Sequence, residues 1–134
     1  MEYELRYANK HLPISRKTLA QLLSEEYPHV VCRDGSIHMF RKSELRELMR
    51  YVSSEEAEKL VLPIIIRVDT DLEQLTGFID DELSAKIVAR ILNIEYSKTP
   101  LTLYKPQIAI LRERFSTAFQ IAMYMSFSRE YGEI

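Results

Sequence analysis

His29-Val30-Val31-Cys32-Arg33-Asp34-Gly35-Ser36-Ile37-His38-Met39-Phe40 reads as a β-hairpin closing on Asp34-Gly35. Asp-Gly between two apolar-rich runs favours a type I′ turn, whose central residues both need positive φ. A two-residue loop sets Arg33 opposite Ser36, Val31 opposite His38 and His29 opposite Phe40. Alternation across the pleat then gives one core-facing side to Val30, Cys32, Ile37 and Met39. The other side takes His29, Arg33, Ser36 and His38, with Val31 and Phe40 among them. A helix is expected at once afterwards, from about Ser43 to Val52. In it Leu45, Leu48, Met49 and Val52 form one stripe and Ser43 serves as N-cap.

The rest of the chain hangs on that unit. Residues 3–9 read as a short helix broken by Pro13. Ser15 caps a second helix through about Glu26, burying Leu19, Leu22 and Leu23. Ser53 and Glu56 form a capping box. Ile64 to Val68 are β-branched and apolar on both faces, a central strand with Pro63 at its start. A turn over Asp69 to Gln74 leads to a return strand, Thr76 to Ile79. Asp80 or Asp81 then caps a helix over about 81–92, ending at Asn93. Leu101 to Tyr104 is a short strand, and Lys105-Pro106 opens a further helix. Phe119, Ile121, Met123, Met125 and Phe127 alternate with more polar residues, which predicts a strand over 118–127. The fold class is therefore α+β. It is expected as a single domain over 1–134, with a mixed or antiparallel sheet built from hairpins at 28–40 and 62–80 and a C-terminal strand, packed with about five helices.

The chain has 134 residues and a formal net charge of −2. Residues 1–67 carry eleven Lys/Arg against ten Asp/Glu, and residues 68–134 carry seven against ten. Bulk charge therefore does not mark a nucleic-acid-binding domain, and any such role needs a local patch. A lone Cys32 precludes an internal disulfide and fits a reducing compartment. No signal-peptide pattern opens the chain and no apolar run is long enough for a bilayer, so a cytoplasmic protein without a membrane partner is expected.

Little in the sequence points to chemistry. His11, His29 and His38 lack tight pairwise ligand spacing, and Cys32 belongs to the apolar side, so neither a metal nor a thiolate nucleophile is expected. The acid pairs Asp69/Asp71 and Asp80/Asp81 sit in loop or capping positions. The three glycines, Gly35, Gly77 and Gly132, build no phosphate loop, and no cofactor is implied. The basic residues are more informative. His11, Arg16, Arg33, His38, Lys105 and Arg112 are the binding candidates, with Arg33 and His38 central, and Tyr7, Phe40 and Tyr104 offer stacking surfaces. If these residues converge, RNA or another polyanion is the expected partner. A homo-oligomer paired through 118–127 is a second reading. A small enzyme with His38 or His11 as base and Arg33 or Arg112 as substrate clamp is a third.

Asn9 to Pro13, Arg16 to Leu19, Arg33-Asp34-Gly35 with His38, Glu44-Leu45, Leu62-Pro63-Ile64, and Leu103 to Pro106 followed by Leu111-Arg112 together resemble an archaeal family, the domain of unknown function numbered sixty-one. The resemblance covers nearly the whole chain. It departs at the end, where Phe115-Ser116-Thr117 and Phe119 to Met123 replace the family's Leu-Pro-Thr and Thr-Gln-Tyr-Ala-Phe. It implies an archaeal cytoplasmic protein and brings no activity with it.

Overall fold

The computed structural model describes residues 13–69 and 76–124. The expected helix over 3–9, His11, Tyr7, most of the 69–74 turn and the chain after Tyr124 lie outside the described residues.

The chain enters as an extended segment alongside the hairpin. Pro13 bridges Cys32, the Ile14 and Ser15 amides both donate to the Val31 carbonyl, and the Ser15 hydroxyl accepts from the Val31 amide at 2.6 Å. Ser15 is thus committed to the hairpin and does not cap a helix. Strand β1 (Lys17–Thr18) follows, and α1 (Leu19–Ser24) starts three residues later than Ser15 would place it. Thr18 is its cap, in a reciprocal box with Gln21. Non-local backbone pairing has moved the helix start.

Strands β2 (His29–Val31) and β3 (Ile37–Met39) form the hairpin, but one residue out of the expected register. His29 faces Met39, Val30 faces His38 and Val31 faces Ile37. The Gly35 amide donates to the Cys32 carbonyl, the Cys32 amide donates to the Ser36 carbonyl, and Gly35 takes φ +85°. This is the longer loop, a turn followed by a left-handed glycine, rather than a two-residue I′ turn. A slip of one residue exchanges the faces. Val30, Cys32 and Phe40 are buried, whereas Ile37 and Met39, expected in the core, are exposed. His38 turns to the buried side and His29 to the outer one, so the two histidines do not share a face.

Helix α2 (Lys42–Leu48) runs on into a 3₁₀ turn, Met49–Tyr51, and buries Leu45 and Leu48 as the stripe requires. It begins after Arg41 rather than Ser43, because its first turn is organised from outside. The Arg41 amide donates to Thr117 Oγ1 at 3.3 Å, and the buried Glu44 carboxylate accepts from the Thr117 amide at 2.9 Å. The Ser53/Glu56 capping box opens α3 (Ser54–Ala57) as expected. Strand β4 (Val61–Leu62) pairs with β1.

After Pro63, β5 (Ile64–Asp69) is central in a four-stranded sheet whose order is β7 (Leu101–Tyr104), β6 (Thr76–Ile79), β5, β8 (Phe119–Tyr124). Strand β6 (Thr76–Ile79) returns antiparallel to β5, and α4 (Glu82–Leu92) follows with Asp81 as N-cap and a left-handed Asn93 as stop. Strand β7 (Leu101–Tyr104) pairs antiparallel with β6, and α5 (Lys105–Arg114) carries its proline in the first turn. Strand β8 (Phe119–Tyr124) is parallel to β5. The fold is α+β with a mixed main sheet, five α-helices among the described residues, and the 28–40 hairpin kept as a separate two-stranded sheet.

Strand alternation divides the main sheet. Ile64, Ile66, Val68, Gly77, Ile79, Leu101 and Leu103 share one face, and all are buried. A methyl group on Gly77 would stand 2.8 Å from Ile108 Cδ1 and 2.9 Å from Ile66 Cγ2, so α5 lies directly on that face. Ile65, Arg67, Thr76, Phe78, Thr102, Tyr104 and Gln120 share the opposite face, where Thr76 is buried, Arg67, Phe78 and Gln120 are half-buried, and Ile65, Thr102 and Tyr104 are exposed.

Candidate functional site

A cleft of about 560 Å³ opens where the N-terminal segment meets the end of the main sheet. Its apolar walls come from Ile14, Val61, Pro63, Ile65 and Leu83, and its rim carries Arg16, Arg33, Lys59 and Arg67 against Asp80 and Asp81. The two carboxylates are already occupied. Asp80 accepts from Arg67 at 2.6 Å, and Asp81 caps α4 by accepting from the Ser84 amide at 2.9 Å and its hydroxyl at 2.7 Å. Lys59 reaches Glu55 at 3.2 Å. Arg16 and Arg33 are exposed and neither has a side-chain partner among the described residues. The extended entry segment places Arg16, and the hairpin turn, stacked on that segment through Val31, places Arg33. A half-enclosed site with apolar walls and two uncommitted guanidinium groups suits an anion with an apolar portion.

The other basic residues are distributed differently. Lys17 is bound to Glu25 at 2.9 Å, and that hydrogen bond holds the Glu25 carboxyl below its usual range. Arg90 grips Glu56 with both guanidinium nitrogens, at 2.6 and 2.8 Å, and this together with the Ser53 cap holds the Glu56 pKa down at about 2. Arg114 donates to Tyr51 Oη at 3.0 Å and Glu47 at 2.9 Å, which raises its pKa further. These three cations fasten elements together. Lys105 and Arg112 are exposed on α5 and do not line the cleft.

His38 has a structural partner. Its Nε2 lies 2.7 Å from the Thr117 carbonyl oxygen, and its ring packs edge-on against the buried Phe40, centroids 4.9 Å apart. Among the candidates the structure therefore brings Arg16 and Arg33 together, and holds His38, Lys105 and Arg112 apart from them. Of the stacking residues, Phe40 is in the core and Tyr104 is exposed. Lys59 and Arg67 line the cleft without having been among the candidates read from the sequence. The Arg67 signal was its position as the one cation in the strand, within the apolar run Ile64 to Val68. The described lining of the cleft contains no histidine, and no group of three or more metal-ligating side chains occurs among the described residues. No helix among them is long and apolar enough to cross a membrane.

Comparison with known proteins finds the family described as "Protein of unknown function DUF61", matching residues 1–123. A UPF0216 protein of Methanothermobacter thermautotrophicus is 36% identical over 130 residues, covering 97% of this chain and 93% of the relative. One from Methanopyrus kandleri is 37% identical over 130 residues, covering 96% and 84%. The solution structure of an archaeal DUF61 family protein superposes with a TM-score of 0.75 at 17% identity, covering 96% of this chain and 84% of that one. That likeness speaks for the fold alone.

Proposed function

Taking as premise that the chain belongs to the DUF61 family, we propose that it is a non-enzymatic binding module whose cleft engages RNA or another polyanion. The observation that carries this reading is the placement of Arg16 and Arg33, two cations without side-chain partners among the described residues, from separate segments on one cleft. Arg67, oriented by Asp80, and Lys59 complete the positive rim. His38 acts behind the site, fixing the hairpin that carries Arg33. The enzyme reading with a histidine base needs that histidine beside two cations in one pocket, and the described lining supplies the cations without it. The test is fluorescence anisotropy of a labelled RNA at low and moderate salt. Wild-type protein is expected to bind at low salt and lose affinity as salt rises. Absence of binding at low salt by the folded protein would overturn the reading.

A second reading, assembly of copies through β8, is favoured by one observation. Among the described residues β8 pairs with β5 on one side only and lies at the sheet edge. Its test is mass in solution across a concentration series. A mass that rises with concentration supports the reading, and a strict monomer removes it.

A further inference from the structure

We infer that the face of the main sheet turned away from α5 stacks the bases of a single-stranded RNA whose phosphates lie along the cleft. This rests on the polyanion reading and specifies its ligand.

The face is continuous with the cleft, since Ile65 and Arg67 belong to both. Arg67 stands directly opposite Phe78 on the neighbouring strand, and Phe78 opposite Thr102 on the next. Tyr104, two residues along from Thr102, is therefore the diagonal neighbour of Phe78, at a spacing of roughly 7–8 Å. The half-buried Phe78 and the exposed Tyr104 so placed offer adjacent aromatic surfaces, with the buried Thr76 beside them on the same face. Tyr104 is 54% exposed and Ile65 39% exposed, although the opposite side of the same strands is fully packed.

The chemistry of the face favours nucleic acid over a second copy of the sheet. Arg67, Thr102 and Gln120 interrupt the apolar surface, so a sheet-on-sheet contact would bury a guanidinium and two polar side chains. A nucleotide strand uses the same groups. Its bases have apolar faces for Phe78, Tyr104 and Ile65, and its phosphates are complementary to Arg67, Arg16 and Arg33. Arg67 is held in place by Asp80 at the boundary between the two surfaces. A duplex keeps its bases stacked inside and cannot offer them to a sheet face, so the site discriminates by strandedness.

The experiment is anisotropy of a labelled single-stranded RNA and of its duplex at one low salt concentration, on wild-type, Tyr104→Ala, Tyr104→Phe and an Arg16→Ala/Arg33→Ala double variant, each confirmed folded by circular dichroism. Tyr104 is exposed, so its truncation does not threaten the core. The single strand is expected to bind at least about ten-fold tighter than the duplex, with Tyr104→Ala weakening it roughly ten-fold and Tyr104→Phe leaving it unchanged. Equal affinity for both RNAs, unaltered by Tyr104→Ala, would overturn the stacking inference. Loss of binding in the double arginine variant would then leave the polyanion reading standing. Single-strand binding lost in Tyr104→Ala but indifferent to the arginines would support stacking and contradict the cleft reading.

Discussion

His38 and Thr117 lie 79 residues apart in the chain, with the histidine Nε2 2.7 Å from the threonine carbonyl oxygen. All three polar groups of Thr117 are used by the hairpin–helix unit, since its hydroxyl accepts from the Arg41 amide and its own amide donates to Glu44. The turn before β8 is thereby fastened to the start of α2. Through β8 and its parallel partner β5, the hairpin and the main sheet are fixed relative to each other, and the cleft lies where they meet.

Replacing His38 by Phe keeps the packing volume on Phe40 but leaves the Thr117 carbonyl without its donor. The expected loss is about 1–3 kcal/mol of unfolding free energy. Urea titration measures it, and RNA affinity of the folded variant should stay near wild type. A stability equal to wild type would show that the contact carries no load.

Glu44→Gln acts on the same turn from the other side, exchanging a buried carboxylate for a weaker acceptor of the Thr117 amide. Because both changes meet at one residue, the double variant His38→Phe/Glu44→Gln should be non-additive by roughly 0.5 kcal/mol or more. A double-mutant cycle in urea reads this directly. Simple additivity would argue that the two contacts are independent.

Gly77→Ala puts a methyl within 3 Å of Ile108 and Ile66 in a packed face. Overpacking of this kind costs typically 1–3 kcal/mol. Ile108→Val removes the atom that the new methyl meets first, and should recover part of the loss in a thermal melt. Failure to recover any would place the strain at Ile66.

The Glu56–Arg90 clamp sets an acid limit. The Glu56 pKa in the folded chain, about 2, is below its ordinary value near 4.5. The folded state thus favours the charged carboxylate. Its stabilisation is fully present above about pH 4.5 and is lost as the pH falls from there toward 2. Glu56→Gln should flatten the acid side of a stability–pH profile in that window and leave the shape above pH 5 unchanged. An unaltered acid limb would contradict the assignment.

Local signals in the sequence were sufficient wherever an element ends on its own chemistry. Asp81 and Asn93 bound α4, Ser53 and Glu56 open α3, and the proline-led start of α5 needs no distant partner. Two misread helix starts share one cause, a long-range bond outweighing a local preference. Ser15 was drawn to the hairpin by Val31, and the start of α2 was set by Thr117 rather than Ser43. The register of the hairpin turned on whether Gly35 alone, or Asp34 with it, would adopt positive φ, and composition does not decide that. The pairing of Arg16 with Arg33 at one cleft was invisible for the same reason. It depends on the entry segment lying along the hairpin, a backbone contact without a sequence periodicity.

The most direct test of the central claim is the salt dependence of RNA binding in wild-type protein and in the Arg16→Ala/Arg33→Ala variant. Each phosphate contact with a single strand contributes about −0.7 to the slope of log affinity against log salt. The account predicts weaker binding and a slope shallower by about 1 to 1.5 in the double variant. An unchanged slope and affinity would show that the cleft cations do not meet phosphate, and would contradict the account.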